Sequence, residues 1–428
     1  VTARTIGLWT TVALVMGNMI GSGVFLLPAS LAPYGGVSLL GWLVSTVGAL
    51  ALALVFARLS RAMPATGGPY AYTRRAFGDF AGFLVAWGYW ISMWCTNAAL
   101  AVAGVGYLDP FVPSLVRNPL TAAAMALAAI WLLTAVNLRG VREAGYVQAL
   151  TTALKILPLA AVGLGGLFVL NPSHFALADT SGGAILSGAT ATATLTLWAF
   201  LGLESATVPA SSVRDPERTI PRATLVGTAL AAAIYVLSTV GVMAVLPPEA
   251  LGASTAPFSD AARALAGDRA AVLVALGAAI SCFGALNGWI LLCGQLPMAI
   301  AADGLFPRVF GARSPRGVPA RGIVIGGALS TILIAMNYSR RLVDLFTFII
   351  LLATLSTLIP YVFSALATFL LPDAGRDGRA RRPAGALVAA VAFGYGLWAI
   401  GGAGAEVVYW GFLLLVAGLP VYVWVVRN

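Results

Sequence analysis

The sequence predicts an all-α integral membrane protein of about 12 transmembrane helices, one integral unit over 1–428 rather than a string of soluble domains. Three observations predict it. First, 60% of the residues are hydrophobic and only 9% are charged, where soluble domains carry about 25% charge. Second, apolar runs recur at about 20 residues or more, the length that crosses a hydrocarbon core. Third, the connections between runs are short and carry most of the arginines, which leaves no stretch for a separate water-soluble domain.

Spans are expected at 8–34, 37–60, 80–108, 119–138, 146–170, 187–213, 223–246, 270–302, 321–337, 343–370, 384–402 and 405–426. With the N-terminus placed in the cytoplasm, nineteen arginines fall on the inner side and Arg117, Arg263, Arg269, Arg340 and Arg341 on the outer side. That bias predicts a multi-pass protein of the cytoplasmic (inner) membrane with both termini cytoplasmic and an even span count. The first segment is expected to be retained, since no cleavage-site pattern follows it. The net charge of +10 does not indicate nucleic acid, because no compact basic module exists.

The chain turns on GNMIGSG at 17–23 inside the first apolar run. Three glycines in seven residues oppose continuous helix. Within a bilayer such a break must line protein or a watery cavity, and the amides of the restarting half-helix suit a carboxylate. Tight packing through small residues is the bland alternative. A second break is expected in LTLWAFLGLESATVPASSV, near 201–204, with Pro209 interrupting the helix beyond it. Paired interruptions opening two blocks of five spans suggest inverted repeats over 8–170 and 187–370, with 384–426 outside them. Amides from the first break and carbonyls from the second together match a zwitterionic amino acid: carboxylate toward Ser22 and Gly23, ammonium toward the backbone of Met19, Trp198 and Leu201.

Two charges lie at depth, where an ionisable group needs a partner or a cavity. Glu204 is read either as a coupling group or as a structural acid bridging the broken backbone. Lys155, the one lysine, is read as a clamp on the broken first span, as a proton carrier, or as a snorkelling surface residue. Mid-span aromatics Tyr89, Trp90, Trp94, Trp198, Phe200, Trp289 and Tyr361 are candidates for a cation-stacking wall. Asn97 is either a recognition group or an interhelical hydrogen bond. Cys95, Cys282 and Cys293 read as core residues, and His174 is expected to face solvent. No metal set, nucleotide motif or nucleophile–base constellation is apparent, so neither a cofactor nor an enzyme is expected.

The strings VMGNMIGSGVFLLPA, GGPYAYTRRAFG, TLWAFLGLESA, GWILLCGQ and AADGLFP, in this order, resemble the amino acid–polyamine–organocation superfamily of transporters. The resemblance covers nearly the whole chain and is most similar to its basic amino acid antiporters. It implies ten core spans in two inverted five-span repeats, spans 1 and 6 broken, plus two more spans. It implies alternating access, most simply exchange of arginine or another basic amino acid for its decarboxylated amine. Proton-coupled or exchange transport of neutral amino acids is the alternative, and a non-transporting receptor is the rival class. Carried over residue by residue, Tyr89, Trp198, Glu204, Trp289 and Tyr361 would act in gating or coupling, and Tyr70 near the inner gate. Asn97 would reach a guanidinium, with Ser92, Met93 and Ala353 around it. Those three and Leu100 depart from the guanidinium-recognising pattern, and Lys155 resembles instead the proton-coupled members and exchangers of the same superfamily. The small-molecule substrate and the lipid bilayer are the implied partners, and a homodimer is implied by resemblance alone.

Overall fold

In the computed structural model, residues 7–63, 68–139, 144–176, 181–207, 213–315, 318–371 and 383–427 are described. Pro209 and several arginines counted above (Arg4, Arg142, Arg316 and those at 376–382) lie outside them. The described residues form helices: α1 (Leu8–Met19), α2 (Ser22–Leu31), α3 (Val37–Ala62), α4 (Pro69–Phe77), α5 (Asp79–Gly106), α6 (Pro113–Val116), α7 (Pro119–Arg139), α8 (Ala144–Leu167), α9 (Gly182–Leu197), α10 (Pro216–Val245), α11 (Pro248–Ala253), α12 (Pro257–Ala302), α13 (Ala320–Met336), α14 (Leu342–Leu370), α15 (Pro383–Gly402), α16 (Ala405–Val416) and α17 (Gly418–Arg427).

Among the described residues, eight helices are long and apolar enough to cross a membrane, or nine when the bent pair α1–α2 is counted as one span. The remaining expected spans also fall on helices: α5, α8 and α13. α12 is a merged pair. Ala266 and Gly267 leave helical geometry, Gly267 at φ +79°, and the long segment that follows begins where the eighth span is expected.

The first span breaks at Ile20–Gly21, and its halves bend by 41°. The ladder ends with Ile20 N–H on the Met16 carbonyl (2.7 Å), and Gly21 N–H then turns back to Met19 (2.9 Å). α2 restarts at Ser22 and is buried along its whole length. It is fixed from outside the chain segment: the Tyr107 hydroxyl donates to Phe25 O at 2.6 Å, and the Tyr107 and Phe258 rings meet Phe25 edge-on. A broken helix thus keeps its place through neighbours rather than through its own ladder.

α5 runs along α14 and α12, α10 along α3 and α8, and α3 along α9. The central helices are closely packed, with Gly166 of α8 against the Gly241 backbone of α10 and Gly322 of α13 against Gly294 of α12. Polar side chains tie helices where no water can: Thr196 to Ser45 (2.8 Å), Asn137 to Asn287 (2.7 Å), and Trp90 Nε1 to the Cys293 carbonyl (3.0 Å). The three cysteines are buried and unpaired, as packing residues would be.

His174 differs from its expectation. It is half-buried, and its Nδ1 lies 3.2 Å and 3.0 Å from the carbonyls of Met243 and Ala244 at the end of α10. Helix ends leave carbonyls without intrahelical partners, and an imidazole N–H meets that need. The same short turn accepts a bond from Gly36 N–H through Phe175 O (3.1 Å), so it straps the end of the first span to the end of α10.

Candidate functional site: two facing helix breaks

The second break forms where the sequence places it. α9 ends at Leu197 and tightens into a 3₁₀ turn over Trp198–Phe200. Leu201 is extended, and Gly202 sits at φ +100°, a conformation that disfavours any side chain. Leu203 N–H bonds Phe200 O, Ser205 N–H bonds Gly202 O, and Thr207 N–H bonds Glu204 O. Short turns therefore replace the α-ladder while keeping these amides paired.

The two breaks touch. A β-carbon on Gly202 would lie 3.3 Å from the backbone of Asn18, and one on Gly23 would lie 2.6 Å from Trp198 Nε1. The Trp198 indole thus lies directly against the first turn of α2. Trp198 Nε1 and Ser22 Oγ are both buried, with no hydrogen-bond partner among the described residues. Unpaired buried polar groups call for an explanation, and a helix start is a place where anions commonly bind.

The expected ammonium carbonyls need a correction in detail. Met19 O already accepts from Gly21 N–H (2.9 Å) and Trp198 O from Leu201 N–H (3.2 Å). Each carbonyl keeps a second lone pair, so each can still accept, but neither is vacant.

α5 and α12 close the sides. A β-carbon on Gly21 would meet Leu100 Cδ2 at 3.3 Å and Ala285 Cβ at 3.9 Å. Asn97 and Met93 lie one and two turns before Leu100 on the same helix face, and Trp289 lies one turn past Ala285. Met93, Asn97 and Trp289 are all buried, and Asn97 Oδ1 has no partner among the described residues. The interhelical-bond reading of Asn97 is therefore not what this oxygen does. Ser92 Oγ instead donates to its own helix at Tyr89 O (2.8 Å), which leaves it an acceptor. Ala353 is buried on α14, two turns before Tyr361.

Below the second break, Glu204 is fully buried between two tyrosines. The Tyr89 hydroxyl donates to Oε1 and the Tyr361 hydroxyl to Oε2, each at 2.5 Å. One carboxylate thereby joins the break to α5 and α14, and Phe56 backs Tyr361 edge-on. Lys155, also fully buried, donates from Nζ to Gly17 O at 3.2 Å. Gly17 lies in the last turn of α1, so the ammonium rests on a carbonyl of the failing ladder. The snorkelling reading is excluded by this burial. Phe200 and Trp90 serve packing: Phe200 meets Trp42 and Tyr235, and Trp90 meets Phe306 and Phe310.

Tyr70, on α4, belongs to a separate cluster. Its hydroxyl donates to Asp303 Oδ2 (2.8 Å), and Arg74 bridges Asp303 (3.1 Å) and Asp79 (2.7 Å). Burial first, then the Asp303 bond, pushes the Tyr70 hydroxyl above its ordinary value, so it stays a donor. Sequence reasoning missed Asp303 and Arg74 as partners, although both lie in the strings AADGLFP and GGPYAYTRRAFG. It also missed Asn18 and Ala285, whose signal is only position: one inside the first break, one a turn before Trp289.

The sequence profile of the amino acid permease family matches residues 6–413. The chain belongs to the amino acid permease family. This permease is 36% identical over 377 residues to the cadaverine/lysine antiporter of Escherichia coli strain K12, covering 85% of this chain and 83% of that protein. It is 34% identical over 452 residues to a putative arginine/ornithine antiporter of Bacillus subtilis strain 168, covering 97% and 96%. The putrescine transporter PotE of Haemophilus influenzae is 31% identical over 429 residues, covering 98% and 97%. The permease is thus a multi-pass secondary transporter of the amino acid and polyamine class. The emphasis on arginine in the sequence reading is not specifically supported, since these relatives are named for lysine, cadaverine, arginine, ornithine and putrescine.

Proposed function

We propose that this permease exchanges a basic amino acid for its decarboxylated amine across the cytoplasmic membrane. The carrying observation is the contact between the two breaks, with Ser22 Oγ and Trp198 Nε1 unpaired at the junction. In this reading the substrate carboxylate sits at the Ser22–Gly23 amides and the α-ammonium at the Met19, Trp198 and Leu201 carbonyls. The far cationic end extends along α5, where Asn97 Oδ1 is a buried acceptor awaiting a donor. Ser92, Met93 and Ala353 shape that end, and Trp289 covers the alkyl stem. An amine without a carboxylate loses the amide contacts and keeps the cationic end, which suits the return leg of an exchange.

Twelve spans in two inverted repeats, 8–170 and 187–370, with 384–426 appended and both termini cytoplasmic, complete the proposal. Alternating access then requires the breaks to re-pair on either side of a fixed substrate. Glu204 joins three moving elements, so it couples the site to Tyr89 and Tyr361. Lys155 acts as the clamp on α1, a reading supported by its bond to Gly17 O. A proton-carrier role for Lys155 is the second reading, favoured by a neutral carbonyl, Gly17 O, as its hydrogen-bond acceptor.

Counterflow in proteoliposomes tests the function. Labelled lysine, arginine and ornithine uptake is compared in vesicles preloaded with the same amino acid, with cadaverine, agmatine or putrescine, with alanine, or with nothing. Uptake that needs an internal basic amino acid or amine supports exchange. Equal uptake into empty vesicles under a pH gradient overturns it and promotes Lys155 to proton carrier; alanine as the best counter-substrate moves the protein to the neutral class.

A further inference from the structure

A cavity lies away from the breaks, on the perimeter of the bundle. It is a groove of about 310 Å³ between α13, α14 and α16, with Trp94 of α5 in its wall. Its walls are apolar, Ile332, Leu352 and Trp410 among them, and Ile332 and Trp410 are exposed along its open side. In a membrane protein that side meets hydrocarbon. Its rim differs from its walls. Arg340 Nη2 pairs with Glu406 Oε1 at 2.5 Å, and the Arg340 guanidinium lies 4.5 Å over the Phe348 ring.

We propose that this groove binds one zwitterionic aminophospholipid, an acyl chain in the slot and the headgroup on the Arg340–Glu406 pair. The rim holds one cation and one anion, so it offers no net attraction to an anionic headgroup. It matches a headgroup that itself carries both signs. Arg340 has further N–H groups for a phosphate, and Glu406, half exposed at the first turn of α16, has a second oxygen for an ammonium. A primary ammonium donates hydrogen bonds to a carboxylate and a quaternary one cannot, which selects ethanolamine over choline. Neighbouring Arg341 is already paired with Asp344 (2.8 Å) and adds no free anion site. The occupant would support the back of α5: Ser330 of α13 donates to Trp94 O at 2.7 Å, one residue from Met93 on the substrate-facing side.

Native mass spectrometry of the detergent-purified full chain tests this. It is run with equal concentrations of dioleoyl phosphatidylethanolamine, phosphatidylcholine and phosphatidylglycerol. Ethanolamine adducts should exceed the other two by about tenfold, as one additional charge-assisted bond implies. Glu406→Gln should erase the preference over choline. Ile332→Trp, a perimeter change that fills the slot, should lower retention of all three with melting behaviour unchanged. Equal retention of the three lipids overturns the proposal, as does an ethanolamine preference that survives both variants. A shift of Ile332→Trp between monomer and dimer also overturns it, by assigning the groove to a second copy.

Discussion

Gly23→Ala probes the contact on which the site is built. The backbone at Gly23 is helical, so alanine is compatible there, and alanine favours helix by about 1 kcal/mol over glycine. The helix backbone itself therefore accepts alanine. The added β-carbon would stand 2.6 Å from Trp198 Nε1 and 2.7 Å from its Cδ1, well inside the 3.4 Å where ordinary contact begins. The indole has to move by roughly 0.8 Å or more, and overpacking of this kind costs about 1–3 kcal/mol. Where Trp198 must lie on α2 to occlude the substrate, the closed state loses that amount. Exchange should slow by about 5- to 150-fold. Counterflow rates with lysine and arginine give the readout, and Trp198 emission reports the displaced ring. Gly183→Ala, with nothing within 4 Å of its β-carbon, is the control and should be neutral. Wild-type exchange in Gly23→Ala, in protein that melts normally, would refute the reasoning.

Other outcomes follow from the same geometry. Tyr89→Phe or Tyr361→Phe removes one of the two hydroxyls on Glu204 and should cost about 1.5–3 kcal/mol in the coupled step; counterflow should fall tenfold or more, with substrate affinity by calorimetry reduced less. Lys155→Ala removes the cation on Gly17 O, so thermal stability and exchange should both drop; stability kept with only pH-gradient dependence lost would favour the proton carrier. His174→Ala uncovers the last carbonyls of α10 at a cost of about 1 kcal/mol, visible as a lower melting temperature with substrate preference unchanged.

Much of the site was legible because broken helices leave local marks. GNMIGSG and Gly202 are glycines where a ladder must fail, and the structure breaks within three residues of each. Glu204 was visible as a charge in an apolar run, and Tyr89 and Tyr361 as mid-span aromatics, but that these two hold the carboxylate is a tertiary fact that neither the sequence nor the resemblance supplied. The resting place of Trp198 on Gly23 is likewise tertiary: nothing local says which neighbour fills a glycine's missing side chain. His174 misled because a lone histidine in a polar loop carries no sign of the helix end it caps. The α12 merger shows the converse, since Gly267 ends one helix and starts another without any gap in composition.

The central claim is that the two breaks jointly hold the backbone end of an amino acid. A density map of the protein in lipid with saturating lysine measures it directly. The account predicts density bridging the Ser22–Gly23 amides and the 198–201 carbonyls, its side chain running toward Asn97. Density lodged elsewhere, or continuous helix through either 20–21 or 201–204, contradicts it.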